Sequence, residues 1–327
     1  MSHEPEPASV VGPFAPGAMG LGTFQLDPDR YRAGADALFA TLRRAAAMGI
    51  ALIDTAPMYG RGAAEELVGR FLREEGSASE VTVVTKAGIE WDLEGRMRRN
   101  ARPEALERGV KSSLGRLGVD VIDVCLLHWP DPAVPMDEVA GALDALRREG
   151  LVRWIGLCNG TPELLDTWSR SAPVHCVEEC YSVVDRGVEA GVLPWATARG
   201  VPLIAYGALA RGLLGGRPLP AAGFSPPDAR AGDPRYGPEV LAAATAARPA
   251  LAALARRLGV EPLALALAWL LRRPATVIPL VGAHHPGQLD IAAQALALEL
   301  GEPDLEELQA TLARVLDLRA RVGPAQP

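Results

Sequence analysis

The chain has 327 residues, a formal net charge of -7 and a pI of about 5.4. An acidic protein lacks the basic face that nucleic acids and acidic membranes require, so we expect neither as a partner. No apolar run is long enough to cross a bilayer, and residues 1–17 are acidic and proline-rich, unlike a signal peptide. We therefore expect a soluble, cytoplasmic protein with a flexible polar leader at 1–17.

From residue 18 onward, apolar strand-like runs alternate with amphipathic helical patterns. Strands are predicted at residues 18–23, 50–53, 81–85, 121–127, 152–157, 173–179, 201–206 and 276–281. Helices are predicted at residues 35–48, 67–72, 103–117, 139–146, 162–168, 187–199, 240–258, 262–273 and 304–319. Pro103 is a favoured first-turn residue and Gly118 a typical helix stop, which supports the helix between them.

Near-continuous apolar strands separated by helices are typical of a parallel sheet that is covered on its outer face. Eight such units favour a single-domain TIM (β/α)8 barrel over residues 18–320, rather than an open doubly wound sheet. The G-x-G-x-x-G signature of an open dinucleotide-binding sheet is missing, because Gly60-Arg61-Gly62 lacks the third glycine. The Gly- and Pro-rich segment 207–238 is too long for an ordinary connection, so we expect a functional loop there.

Polar residues stand at or just after the ends of the predicted strands. They are Thr23, Asp54, Lys86, His128, Asn159, Glu178 and Tyr206. In a barrel the carboxyl ends of all strands open at one face, where barrel enzymes keep their catalytic groups. This convergence is the main argument from the residues for an enzyme.

Taken singly, most of these residues have a structural alternative. Asp54 could cap a loop, Tyr59 could be a half-buried aromatic residue, and His128 a hydrogen-bonded core histidine. Lys86 is different, since a lysine that ends a buried strand needs a carboxylate or solvent nearby.

Together, four of these side chains could form a proton-transfer device. Lys86 would lower the pKa of the Tyr59 phenol, and Asp54 would keep Lys86 charged. His128 would position a carbonyl oxygen near Tyr59 by hydrogen bonding. The arrangement suits carbonyl reduction, in which charge develops on oxygen while an external donor supplies the hydride.

Several segments carry recognisable motifs in a fixed order. Residues 54–60 are DTAPMYG, 85–86 are TK, 127–130 are LHWP, 156–159 are GLCN, 181–186 are YSVVDR and 205–214 are AYGALARGLL. They resemble the D-T-A-x-x-Y-G, lysine-strand, L-H-W-P, G-V-S-N, Y-S-L-L-D-R and A-Y-S-P-L-A-x-G-L-L motifs of the aldo-keto reductase family. The resemblance covers nearly the whole chain. It implies a barrel reductase that uses NADPH, with Asp54, Tyr59, Lys86 and His128 as catalytic residues.

The same resemblance implies the positions of the ligands. Asn159 and Glu178 would hold the nicotinamide carboxamide, Tyr206 would stack on the nicotinamide ring, and the loop 209–214 would cover the pyrophosphate. The cofactor residues are thus Asn159, Glu178, Tyr206, Leu209, Gly212 and, near the adenosine, Gly282, His284 and Gln288. Phe24, Trp91 and Trp129 would be walls of the substrate pocket.

The chain departs from the family pattern on the cofactor side. Glu178 stands where the family usually has glutamine, and a carboxylate cannot donate a hydrogen bond to the carboxamide oxygen. His284 and His285 replace a basic residue for the adenosine phosphate, and Ile291-Ala292 replaces a Glu-Asn pair. Neutral imidazole neutralises phosphate less well than arginine, so we expect weakened NADPH binding or less preference over NADH.

The sequence therefore predicts an oxidoreductase that reduces an aldehyde or ketone, such as a sugar-derived or secondary-metabolite carbonyl, with Tyr59 as proton donor. NADPH is the expected cofactor, with NADH as a second candidate. One alternative is a redox-neutral isomerase or dehydratase on the same barrel. The other is a regulatory subunit that senses the cofactor. No cysteine pattern predicts a metal site.

Overall fold

The computed structural model describes residues 14, 17–24, 35–76, 81–92, 94–226, 228, 230–273 and 276–322. The leader predicted at 1–17 lies outside these residues, apart from Phe14 and Gly17. No helix of the described part is both long enough and apolar enough to span a bilayer.

Eight parallel strands close into a barrel, which confirms the predicted fold class. In chain order the strands are β1 (Gly20–Gly22), β2 (Leu52–Asp54), β3 (Thr82–Ala87), β4 (Ile89–Trp91), β5 (Met97–Arg99), β6 (Ile122–Leu127), β7 (Val152–Cys158), β8 (Cys176–Cys180), β9 (Leu203–Tyr206) and β10 (Val277–Gly282). β4 and β5 form a separate antiparallel hairpin, and the other eight strands pair in chain order until β10 pairs with β1.

Helices surround the barrel. They are α1 (Asp36–Ala47), α2 (Ala63–Glu75), α3 (Pro103–Leu117), α4 (Met136–Arg148), α5 (Pro162–Ser169), α6 (Val192–Ala198), α7 (Pro238–Arg257), α8 (Pro262–Leu271), α9 (Asp290–Ala297) and α10 (Glu302–Val322). Local chemistry sets several of their ends. Thr161 caps α5 by accepting a hydrogen bond from the Leu164 amide at 3.4 Å, and α3 stops at Gly118, whose φ is +67°.

Strand periodicity places the polar residues inside the barrel. Successive side chains of a strand point to opposite faces, so residues two apart share a face. Val84 and Cys176 belong to the apolar cluster of the barrel interior, and Lys86 and Glu178 follow them by two positions. Both charged side chains therefore point inward at the carboxyl ends of β3 and β8.

The structure differs from the predicted elements in three places. The segment 187–199 is a short 3-10 turn at Gly187–Ala190 followed by α6, rather than one helix. The β4–β5 hairpin and α9 were not predicted, because their short patterns do not reach the length of a typical element. The long loop after β9 is present and ends where α7 begins at Pro238.

Candidate active site

β2, β3 and β8 bring an ion cluster together at the carboxyl end of the barrel. The Lys86 ammonium bonds to the Asp54 carboxylate and donates to the Thr55 carbonyl oxygen at 3.2 Å. Oε2 of Glu178 lies 3.2 Å from Nζ of Lys86. The three charged residues are at most 2% exposed. One buried cation thus faces two buried carboxyl groups.

Burial and mutual charge decide the ionisation of this cluster. Burial lowers the pKa of Lys86, but the charges of Asp54 and Glu178 outweigh burial and raise it well above its usual value. Burial raises the pKa of Asp54, and the charge of Lys86 opposes this shift. Burial and then the charge of Asp54 raise the pKa of Glu178 to about 8. These shifts favour a charged Lys86 and a protonated Glu178 at neutral pH.

Tyr59 and His128 lie beside the cluster. Nζ of Lys86 is 5.5 Å from the centroid of the Tyr59 ring, and the Tyr59 and His128 rings meet edge to face with centroids 6.1 Å apart. Burial, followed by the charge of Lys86, lowers the pKa of His128 well below its usual value. His128 is therefore a neutral imidazole, able to donate one N–H.

The ionisation of Tyr59 differs from the expectation that Lys86 would give it a lowered pKa. The charge of Lys86 acts in the expected direction, but burial of the phenol is the larger effect and raises its pKa well above the usual value. Tyr59 is therefore fully protonated at neutral pH, as a proton donor has to be before it reacts.

A cavity of about 1130 Å³ opens above these groups. Thirteen of the predicted site residues line it: Phe24, Asp54, Tyr59, His128, Trp129, Asn159, Glu178, Tyr206, Leu209, Gly212, Gly282, His284 and Gln288. Lys86 lies behind Asp54 and Glu178, at 1% exposure. The structure thus brings together the predicted residues, with the exception of Trp91.

Trp91 does not line this cavity. It lies on β4, is partly exposed, and packs under the Arg61 guanidinium, 4.9 Å from the ring centroid. Ile89 and Met97 of the hairpin line the cavity instead. Placing Trp91 correctly would have required the hairpin, which the sequence pattern did not indicate.

Phe24 and Trp129 form two apolar walls close to the ion cluster. The Phe24 ring meets the Tyr59 ring edge to face at 5.3 Å, and the Arg99 guanidinium lies 5.4 Å from the Trp129 ring centroid. Of the four cysteines, Cys180 lines the cavity.

Asn159 links three strands of the site. Its Nδ2 donates to the His128 carbonyl oxygen at 2.9 Å, and its Oδ1 accepts from the Tyr206 hydroxyl at 2.7 Å. Asn159 has a φ of +57°, a conformation that asparagine tolerates better than most residues. The bonds fix the Tyr206 ring in the cavity wall.

The long loop after β9 has a strained turn at the cavity. Ala210, Arg211 and Gly212 have φ values of 45°, 48° and 80°, and the left-handed conformation costs a non-glycine residue about 1–2 kcal/mol. Sequence reasoning missed the arginines of this loop, because their dispersed positions resemble solvated surface charges. Arg211, Arg217, Arg230 and Arg235 line the cavity.

The segment after β10 lines one part of the cavity through Gly282, His284 and Gln288, and we call this part the far end. Oε1 of Gln288 accepts a hydrogen bond from the His284 amide at 2.6 Å, so this side chain stabilises the turn at the start of α9.

A separate cavity of about 410 Å³ lies at the opposite end of the barrel, near Val83, Asp123 and Arg153. That end of a barrel serves stability rather than catalysis.

A closed parallel barrel with buried ionisable groups at the carboxyl ends of its strands defines the class of (β/α)8-barrel enzymes. The model of the aldo/keto reductase family matches residues 18–313, and the chain belongs to this family.

Two relatives and two solved structures illustrate the match. Aldo-keto reductase YhdN of Bacillus subtilis is 35% identical over 94% of this chain and 92% of its own length. The NADH-specific methylglyoxal reductase of Escherichia coli is 31% identical over 88% of this chain and 91% of its own. The structure of a glycerol dehydrogenase from Gluconobacter oxydans has a TM-score of 0.82 and 33% identity, with 94% of each chain covered. A Klebsiella pneumoniae aldo-keto reductase in complex with NADPH has a TM-score of 0.70 and 28% identity, with 90% of each chain covered.

Proposed function

We propose that this protein reduces an aldehyde or ketone with a hydride from NADPH or NADH, and that Tyr59 donates the proton to the carbonyl oxygen. The observation that carries the proposal is the buried cluster of Asp54, Lys86 and Glu178 next to the protonated phenol and the neutral His128. These groups open on a cavity large enough for a dinucleotide and a small substrate.

The residues of the cavity fit a nicotinamide dinucleotide. Oε2 of Glu178 is a buried polar atom without a hydrogen bond, and Nδ2 of Asn159 donates to the His128 carbonyl oxygen with one of its two hydrogens. Arg217 and Arg230 line the cavity, and guanidinium groups suit phosphates, although the Arg230 guanidinium already pairs with Asp228 at 2.7 Å. When bound, the nicotinamide supplies the hydride that the side chains cannot. Glu178, Asn159 and Tyr206 would hold its ring end, and the loop around Leu209 and Gly212 its phosphates.

Two groups of the chain act on the substrate carbonyl, and a third acts on Tyr59. His128 donates its N–H to the carbonyl oxygen and orients it, and Tyr59 gives up its hydroxyl proton as charge develops there. Lys86 stabilises the negative charge that remains on the Tyr59 oxygen. The strong pairing with Asp54 keeps Lys86 charged throughout.

The nucleotide preference follows from the far end of the cavity. His284 lines that end of the cavity with an imidazole side chain, and Oε1 of Gln288 already accepts a hydrogen bond from the His284 amide. An imidazole lacks the bidentate fork of a guanidinium and binds a phosphate less strongly than arginine does, so we propose little preference for NADPH over NADH. The relatives include both kinds, since one is named NADH-specific and one structure contains NADPH.

Nucleotide titration followed by turnover assays tests the proposal. Binding of NADPH or NADH is measured by fluorescence quenching, and oxidation of the bound nucleotide by absorbance with a panel of aldehydes, ketones and sugar-derived carbonyls. We expect binding of both nucleotides and oxidation with at least one carbonyl. Failure to bind either would reject the reductase. Binding without oxidation would support a regulatory subunit instead, and turnover without nucleotide a redox-neutral enzyme.

A further inference from the structure

Glu178 gives the ion cluster one carboxyl group more than its cation can neutralise. The ionisable groups that interact with Glu178 are Asp54 of β2, Tyr59 after it, Lys86 of β3, Cys158 of β7, Cys176 of β8 and Tyr206 of β9. Burial raises the pKa of the cysteines and tyrosines in this set well above neutral, so they carry no charge. Two carboxyl groups and a single ammonium remain.

The geometry shows which group is left uncompensated. Lys86 bonds to Asp54 and to the Thr55 carbonyl, whereas Oε2 of Glu178, at 3.2 Å from Nζ, has no aligned hydrogen bond. The carboxyl groups of Asp54 and Glu178 face the same ammonium, and burial together with the charge of Asp54 raises the pKa of Glu178. A buried carboxylate without a partner is strongly disfavoured, and two adjacent carboxylates share a proton rather than ionise together.

We propose that Glu178 carries the extra proton of this cluster, and that its loss as the pH rises shifts the site from binding reduced nicotinamide to binding oxidised nicotinamide. The inference rests on the proposed function, which places the nicotinamide end of the nucleotide against Glu178. Glu178 is thus a cofactor-binding residue that makes nucleotide binding depend on pH.

Two physical effects act in the same direction. A protonated carboxyl can donate a hydrogen bond to the carboxamide oxygen, and a carboxylate can only accept one. The carboxylate also adds an uncompensated negative charge, which attracts the cationic ring of the oxidised nucleotide and gives no such gain with the neutral reduced ring. The same charge raises the pKa of Tyr59 further, which makes the phenol a weaker acid.

Glu179 provides a matched control on the same strand. It is also buried, and burial raises its pKa to about 8, as for Glu178. Its Oε1 accepts from the Gly160 amide at 2.7 Å, and it does not line the cavity. Glu179→Gln therefore removes a buried carboxyl with a similar pKa and leaves the ion cluster unchanged.

The first test measures dissociation constants of NADPH and NADP⁺ between about pH 6 and pH 9.5 for the full chain, Glu178→Gln and Glu179→Gln. For the full chain and Glu179→Gln, we expect the dissociation constant of NADPH to increase relative to that of NADP⁺ as the pH rises through about 8. The ratio of the two constants should change by up to about tenfold per pH unit. Glu178→Gln should show a constant ratio. A flat ratio in the unsubstituted chain, or an unchanged rise in Glu178→Gln, would overturn the inference.

A second test needs no nucleotide and therefore separates this inference from the proposed function. Infrared difference spectra between low and high pH report the carbonyl stretch of protonated carboxyl groups. We expect a band that disappears at high pH in the unsubstituted chain, to which protonated Glu178 and protonated Glu179 both contribute. Glu179→Gln should keep the Glu178 contribution, whereas Glu178→Gln should lose it and keep only the contribution of Glu179. Identical spectra for the unsubstituted chain and Glu178→Gln would refute the proton assignment. Absence of nucleotide binding at every pH, with the band present, would reject only the reductase.

Discussion

The floor and the far end of the large cavity are built in different ways. The floor consists of side chains that end parallel strands, and its Asp54, Lys86 and Glu178 are almost completely buried. The far end consists of a long loop and the turn after β10, where His285 is exposed and His284 partly so. The strands hold the ion cluster in a rigid arrangement, whereas the loops supply residues that would contact the nucleotide. Substitutions at the floor should therefore affect rate and stability strongly, and those at the far end should alter nucleotide preference mildly.

The largest expected effect belongs to Tyr59 at the floor. Tyr59→Phe removes the donated proton and keeps the ring against Phe24 and His128. We expect kcat for carbonyl reduction to fall by about 10²–10⁴-fold. Nucleotide affinity should change little, as measured by fluorescence quenching. Near-normal kcat in this variant would exclude Tyr59 as the donor.

The next effect concerns stability. Lys86→Met leaves two buried carboxyl groups without their cation, which we expect to lower the free energy of unfolding by about 3–5 kcal/mol. Lys111→Met is the matched control, because Lys111 pairs with Glu107 on an exposed helix face. Exposed pairs often contribute nothing measurable, so urea unfolding of the control should match that of the unsubstituted chain. Equal losses in both variants would contradict the difference between buried and exposed pairs.

A smaller effect concerns how the free energy of unfolding depends on pH. Burial raises the pKa of Glu179 to about 8 in the folded chain, from an ordinary value of 4.5. Between these values the folded state binds more protons than the unfolded state, so the free energy of unfolding falls as the pH rises. Glu179→Gln should reduce this fall, measured as the urea midpoint at about pH 5 and about pH 9. An unchanged slope would show that Glu179 ionises normally.

The smallest expected effect lies at the far end. His284→Arg places a permanent cation in the cavity wall, and we expect about tenfold tighter NADPH binding with unchanged NADH binding. His285→Arg is the control, because His285 does not line the cavity. An equal gain for both nucleotides would indicate general charge attraction rather than recognition of the adenosine phosphate.

The same contrast explains what the sequence could predict. The strand ends were predictable because periodicity and apolar runs place Asp54, Lys86 and Glu178 at the carboxyl end of the barrel, which the structure confirms. The resemblance to the family added the cavity residues beyond the strands, and nearly all of them line the cavity.

Two features were not predictable, for physical reasons. Trp91 was expected in the substrate pocket but does not line the cavity. The β4–β5 hairpin that carries it is too short and too charged to show a strand pattern in the sequence. The ionisation of Tyr59 was also misjudged, because the sequence shows the neighbouring Lys86 but not the depth of burial, which is the larger effect. Loop conformation and desolvation depend on tertiary packing, which local patterns do not contain.

Transfer of deuterium from reduced nicotinamide to product tests the central claim most directly. The enzyme is supplied with NADPH or NADH that carries deuterium at both positions of the reactive ring carbon, together with the best carbonyl of the panel, and the product is analysed by mass spectrometry. Carbonyl reduction predicts an alcohol with one deuterium on the former carbonyl carbon, formed by the unsubstituted chain and nearly absent with Tyr59→Phe. A product without deuterium, or product formation without nucleotide oxidation, would contradict the account.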